Sequence, residues 1–180
     1  GVSTIGEQVS AVGGGTPSTK NESFWNGEHL FCTPKDLSGL SSIVLDQTER
    51  HLTDLGAEKV SSGILPEGTV IMSSRAPIGY LAITNKPVTV NQGIIALVKN
   101  ENYNPLFLLC WLRTNMERIV ERANGSTFLE ISKKNFKPIP FLKPSASCIE
   151  LFKTNAELVH QRISVCAKSC QTLAKLRDVL

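Results

Sequence analysis

The sequence predicts an α+β fold: a mixed domain of short strands and a few helices over residues 1–144, then one long helix over 145–180. Three observations lead there. Short apolar or β-branched runs, bounded by Gly, Pro, Asn or Ser, recur through the first part and read as strands. A stretch opened by Asn104-Pro105 has helical apolar spacing. Beyond Pro144 there is neither Pro nor Gly, and apolar residues alternate at spacings of three and four.

In chain order, strands are expected over residues 30–33, 69–73, 80–84, 88–90, 94–98 and 127–131. A short helix over 53–60 leads to the turn Leu65-Pro66-Glu67-Gly68. Asn104 is a suitable cap, and Pro105 needs no N–H at the first helical position. Leu106, Leu109, Cys110, Met116, Ile119, Val120 and Ala123 then form one apolar stripe, and Asn124-Gly125 supplies a left-handed C-cap. The Arg113–Glu117 pair, four apart, reads as a surface ion pair.

Lys137-Pro138-Ile139-Pro140 to Lys143-Pro144 predicts a stiff, extended hinge, and Ser147-x-x-Glu150 a capping box. Ile149, Phe152, Ala156, Val159, Ile163, Cys166, Cys170 and Leu173 make a heptad seam, with Leu180 back in phase and Arg177 as its one break. At about 1.5 Å per residue this is a rod of roughly 50 Å. Its seam is expected to bury itself against another helix, from a second copy, a partner subunit or the rest of a longer chain. The alternative is a helix folded back on its own domain.

The chain is 41% hydrophobic, and no apolar stretch approaches the roughly 20 residues a bilayer requires. Without a signal-peptide pattern, a cytoplasmic protein is expected, with no membrane association. The five cysteines are odd in number and include no Cys-x-x-Cys, which suits reduced, buried thiols. Cys166 and Cys170, with His160 above them, are read as core rather than ligands, so neither metal nor cofactor is expected. The net charge of +3 is unevenly spread: residues 71–144 carry ten Lys/Arg against four Asp/Glu, and residues 1–70 four against nine. A basic middle section is able to neutralise phosphates, and equally to be a solvated surface.

Chemistry concentrates in three motifs. Ser73-Ser74-Arg75-Ala76-Pro77-Ile78-Gly79-Tyr80 and Asn91-Gln92-Gly93 put a guanidinium and two carboxamides on turns between strands. Arg grips guanine and Asn or Gln grips adenine in bidentate fashion, while the same residues also pin turns. Gly13-Gly14-Gly15-Thr16-Pro17-Ser18-Thr19 is either a loop touching DNA backbone through Thr16, Ser18 or Lys20, or a structural turn. It is not a Walker A loop, because Ser18 and Thr19 stand where Gly and Lys belong. His29, His51 and His160 lack a nucleophile-and-carboxylate arrangement, and Ser73, Ser74 and Cys110 are nucleophiles by residue type alone. Trp25 and Trp111 are read as core.

GGGTPST (13–19), FWNG (24–27), TPKDLS (33–38), SSRAPIGY (73–80), NQG (91–93), GSTFLEIS (125–132) and LRDVL (176–180) resemble, in order along nearly the whole chain, the specificity subunit of type I restriction-modification enzymes. The resemblance implies a non-catalytic subunit that typically carries two target-recognition domains held apart by two long antiparallel helices. Each domain reads half of an interrupted site in double-stranded DNA. Modification subunits then bring S-adenosylmethionine and methylate adenine, and a restriction subunit supplies ATP-driven translocation and cleavage. One recognition domain and one helix are half of that plan, and imply a homodimer through the helix if the subunit is half-length.

The candidate DNA-binding residues are Thr16, Ser18, Lys20, Lys35, Ser74, Arg75, Asn91, Gln92, Ser126, Lys133 and Lys134, and the helix-pairing residues are those of the seam. Since framework motifs position a domain more than they specify bases, base readers are also sought in loops 39–50 and 99–103. The competing expectation is a scaffold or decoy subunit acting through protein contacts alone.

Overall fold

The computed structural model describes residues 1–125 and 129–179. Its strands are β1 (Val2–Thr4), β2 (Ala11–Gly13), β3 (Trp25–Cys32), β4 (Val44–Leu45), β5 (Arg50–Leu52), β6 (Val70–Ser74), β7 (Ile78–Thr84), β8 (Val88–Val90), β9 (Ile94–Leu97) and β10 (Pro140–Leu142). Its helices are α1 (Ile5–Gln8), α2 (Pro34–Ser38), α3 (Asp54–Ala57), α4 (Pro105–Thr114), α5 (Met116–Glu121), α6 (Lys133–Phe136) and α7 (Ala146–Arg177). The strands form a five-stranded sheet in the order β2-β9-β6-β7-β4, a three-stranded sheet β5-β3-β8 and the pair β1-β10.

The five-stranded sheet is covered on both faces. Successive strand residues point to opposite sides. Val70, Met72, Ile83, Ile95 and Leu97 accordingly meet Leu108, Leu109 and Leu112 of α4 on one side. Ile71, Ala82, Ile94 and Ala96 meet Leu30, Cys32, Val88 and Val90 of the three-stranded sheet on the other. Burial on both faces is why β9 and the first three residues of β6 are apolar without polar alternation. Each fully buried Ile or Leu contributes about 1.5–3 kcal/mol.

Expected strands 69–73, 80–84, 88–90 and 94–98 appear as β6 to β9 within two residues, and 30–33 proves to be the end of the longer β3. The expected strand 127–131 falls partly outside the described residues; at its described end Glu130 bridges both Asn124 and Arg75. The helix expected over 53–60 is only α3, capped by Thr53 Oγ1 accepting from Gly56 N at 3.2 Å. The Asn104 cap forms, its Oδ1 accepting from Leu106 N at 2.8 Å. The helix it starts is broken at Asn115, however, whose Nδ2 donates to the Trp111 carbonyl at 2.9 Å. A local side-chain bond of that kind competes with the helical ladder, and Met116 begins a new helix.

Two other expectations change. Residues 137–144 are not a free hinge, because Pro140–Leu142 pairs antiparallel with Val2–Thr4. Pro140 is tolerated there as the first residue of a strand. Phe141, fully buried, packs against the Tyr103, Phe107 and Trp111 rings. The cap of α7 is Ser145, not Ser147: Ser145 Oγ accepts from Cys148 N at 3.3 Å, so the helix starts as soon as Pro144 is passed.

Along α7 the seam divides. Ile149 packs on the main core, Phe152 meets Phe107 edge-on at 5.4 Å between centroids, and Ala156 is 4% exposed. This half folds back on its own domain, against α4 and β4. Ile163 is half-buried, whereas Val159, Cys166, Cys170 and Leu173 are exposed. Leu180 lies outside the described residues. The expectation of buried thiols therefore holds for Cys32 alone; Cys110, Cys148, Cys166 and Cys170 are exposed because their helix faces meet solvent.

A candidate nucleic-acid interface at the loop end

Strands β2, β6 and β8 finish, and β9 begins, at one end of the two large sheets. Their loops converge there. The Gly13–Thr16 segment lies over the end of β8: Gly15 N donates to the Val90 carbonyl at 3.2 Å, and a Cβ on Gly14 would sit 1.6 Å from that oxygen. Only glycine permits so close an approach of two backbones. The contact brings Thr16 within reach of the β8–β9 turn, and Thr16 Oγ1 donates to Gln92 Oε1 at 2.7 Å.

Within that turn Asn91 Oδ1 accepts from Gly93 N at 2.9 Å. The Gly93 carbonyl accepts from Ser74 N at 2.8 Å, which fixes Arg75 beside it. A Cβ on Gly93 would lie 3.3 Å from Arg75 Nε, 3.3 Å from Asn91 Oδ1 and 3.0 Å from Pro34 Cγ. Arg75, half-exposed, faces Glu130 with Nη1 and Oε2 3.6 Å apart. Ile131 N donates to the Ser74 carbonyl, so the segment leading to α6 runs along the same edge. Lys133 lays its stem 3.4 Å from where a Gly13 Cβ would be.

Thr16, Arg75, Asn91, Gln92 and Lys133 thus share one surface. Lys134 is exposed on the same first turn of α6. Ser18 and Lys20 are exposed beyond the glycine loop, and the Ser18 carbonyl accepts from Trp25 Nε1 at 3.1 Å. Lys35 follows Pro34 on α2, exposed and paired with Glu49 at 2.7 Å; that bond raises its pKa above the usual lysine range. Ser74 departs from the expectation: it is 2% exposed and serves through its backbone, because it ends a strand buried on both faces. Ser126 lies outside the described residues.

The cations of residues 71–144 do not gather on one face. Lys86 begins at the opposite end of β8, beside Gly27 and His51, and Lys99 lies against α7 near His160. The site also contains two residues not singled out from sequence, Glu49 and Glu130. Each neutralises a candidate cation, and no local pattern reports a pairing across more than ten positions. Next to Arg75 is an apolar hollow of about 640 Å³, lined among the described residues by Pro77, Ile78, Val120 and Leu129 as well as the Arg75–Glu130 pair.

Other reactive groups lie elsewhere. Burial, with Asp36 nearby, pushes the Cys32 thiol far above its ordinary range, so it is a poor nucleophile. His29 Nε2 pairs with Asp54 at 2.7 Å. Burial lowers the pKa of His160 on α7; Lys99 adds to this and Glu67 opposes it. Trp25 is core, with Arg50 stacked 3.4 Å above its ring, and Trp111 packs in the aromatic cluster. Among the described residues, no group of three or more His, Cys, Asp or Glu could hold a metal, and no helix is long and apolar enough to cross a membrane.

Comparison with known proteins matches residues 1–147 to the type I restriction modification DNA specificity domain. The specificity subunit of the type I restriction enzyme MjaIX of Methanocaldococcus jannaschii is 36% identical over 146 residues, 80% of this chain and 33% of that protein. The HindI specificity subunit of Haemophilus influenzae is 24% identical over 170 residues, 93% of this chain and 37% of that protein. The HsdS subunit from Thermoanaerobacter tengcongensis has a similar fold, with a TM-score of 0.61 at 18% identity over 99% of this chain and 42% of its own. The S subunit from M. genitalium gives 0.61 at 16% identity, over 99% and 43%. This chain spans about a third of the length of the curated relatives it matches. With its fold, its framework motifs and these relatives in agreement, the chain belongs to the type I restriction modification DNA specificity domain family.

Proposed function

We propose that this domain recognises double-stranded DNA through the loop end, as one target-recognition unit of a cytoplasmic type I restriction-modification complex. On this reading it is non-catalytic, and modification and restriction subunits that assemble with it carry adenine methylation and cleavage. The observation that supports this best is the convergence of motifs distant in sequence: Thr16 and Gln92, 76 positions apart, are hydrogen-bonded beside Arg75 and Lys133. Thr16, Arg75, Asn91, Gln92, Lys133 and Lys134 are the contacts proposed, with Ser18, Lys20 and Lys35 at the periphery.

The test is selection of bound duplexes from a random pool, followed by titration at several salt concentrations. An Arg75→Ala variant should lose about 1–3 kcal/mol at one base pair if Arg75 grips guanine. It should instead lose affinity uniformly, with a salt slope shallower by about 1, if Arg75 holds a phosphate. Binding with no salt dependence and no sequence preference would sink the proposal.

The exposed half of α7 is proposed as the surface for another helix, from a second copy of this chain or from the remainder of a longer subunit. The alternative reading, a scaffold or decoy working by protein contacts alone, is favoured by one observation: Glu130 and Glu49 already occupy two of the cations. Salt-dependent duplex binding separates the two.

A further inference from the structure

Resting on the DNA-binding reading above, we infer that the Thr16–Arg75–Asn91–Gln92 cluster is a donor-only surface: it takes an acceptor-only group of the duplex and does not read adenine. Adenine presents an acceptor and a donor side by side in the major groove, so a carboxamide reads it with its nitrogen donating and its oxygen accepting. Here both carboxamide oxygens are engaged internally. Gln92 Oε1 accepts from Thr16 Oγ1 at 2.7 Å, and Asn91 Oδ1 accepts from the Gly93 N–H at 2.9 Å. The Gly93 N–H can only donate, so it holds the Asn91 oxygen toward the protein; at Gln92 the Thr16 hydroxyl donates to the amide oxygen and leaves the amide nitrogen outward. Asn91 Nδ2 and Gln92 Nε2 have no partner among the described residues.

The rest of the cluster has the same polarity. Arg75 has five N–H donors and no acceptor, and Lys133 has an ammonium only. The group the structure does place against Arg75 is the Glu130 carboxylate, itself an acceptor-only anion, at 3.6 Å. With Glu130 set aside as the anion already facing Arg75, the outward groups of the cluster donate, which is complementary to a phosphate, or to the O6 and N7 pair of guanine. It is mismatched to the N6 amino group of adenine. The Thr16 hydroxyl is therefore a positioning group, which keeps the Gln92 oxygen turned away from the ligand.

The experiment uses the full chain and duplexes selected from a random pool, with Gln92→Ala, Gln92→Glu and Thr16→Val compared against the unsubstituted protein. Gln92 and Thr16 are exposed, and circular dichroism checks that each variant is folded. Gln92→Glu, which puts an acceptor where a donor was, is expected to bind roughly tenfold more weakly and more weakly than Gln92→Ala. Thr16→Val frees the Gln92 oxygen and should weaken binding in the same direction.

Relaxed preference at a guanine in Gln92→Ala assigns the acceptor to a base edge. A uniform loss with a shallower salt slope assigns it to a phosphate, and either result upholds the inference. Relaxed preference at an adenine overturns it, as does Gln92→Glu binding as tightly as the unsubstituted chain. If the unsubstituted chain binds no duplex, the DNA-binding reading itself fails and the inference falls with it.

Discussion

The two halves of α7 carry the same apolar alternation and meet opposite environments. Up to about residue 163 the helix lies on its own domain, with Phe152 on Phe107 and Ala156 buried. Beyond it, the seam residues Cys166, Cys170 and Leu173 are exposed. A heptad pattern sets the phase of a helix's apolar side but is silent about what covers it. That depends on whether aromatic partners such as Phe107 and Phe141 stand opposite, and those arise from remote parts of the chain.

The largest expected effect removes the platform of the docked half. Phe141 is fully buried among three rings, and Phe141→Ala should cost about 3–5 kcal/mol in urea unfolding followed by tryptophan fluorescence. A smaller loss would mean that the cluster collapses around the void. Next, Ala156→Glu forces a larger, charged side chain into the contact between helix and domain, and should cost about 1–3 kcal/mol by overpacking. The matching change in the free half, Leu173→Glu, should alter unfolding by less than about 0.5 kcal/mol. Its effect belongs in sedimentation, where the double variant Cys166→Glu/Leu173→Glu should shift any self-associated species to monomer. Equal stability costs for Ala156→Glu and Leu173→Glu would erase the distinction between the halves.

The smallest effect is a pH dependence. His160 has a lowered pKa in the folded chain, from burial first and from Lys99 second, so the folded state binds fewer protons than the unfolded one. Docking is then at full strength above the ordinary histidine pKa of about 6.5 and weakens as pH falls through it toward the lower folded value. Lys153 and Glu157 of α7 and Glu67, Lys99 and Glu101 of the domain line the same hollow as this ring. Hydrogen exchange of α7 measured between pH 7.5 and 5.5 should show faster opening at the acid end, and His160→Gln should flatten the trend.

Much of the fold was legible because its central strands are buried on both faces. The apolar runs of β9 and of Val70–Met72 in β6 announce themselves without reference to partners, and Asn104-Pro105 declares the start of α4 by local chemistry. What escaped were elements defined by pairing. β1, β2, β5 and β10 have three residues each and become strands only because β10, β9, β3 and β1 lie beside them. The candidate site divides likewise. Arg75, Asn91 and Gln92 stood out by residue type on turns, but their orientation did not: it is set by Thr16, 76 positions from Gln92, and by Glu130, which no nearby spacing signals. Ser74 shows the converse error: it neighbours Arg75 in sequence, but as the last residue of β6 it is buried.

The pairing of Val2–Thr4 with Pro140–Leu142, extended by Lys143 N donating to the Gly1 carbonyl at 2.9 Å, ties the first residues of the chain to the root of the long helix. Residues 1–4 clasp the segment that leads into that helix. Without residues 1–4, far from either the glycine loop or the heptads, Phe141 would lie on an unsupported edge, so the root of the long helix leans on its least conspicuous neighbour.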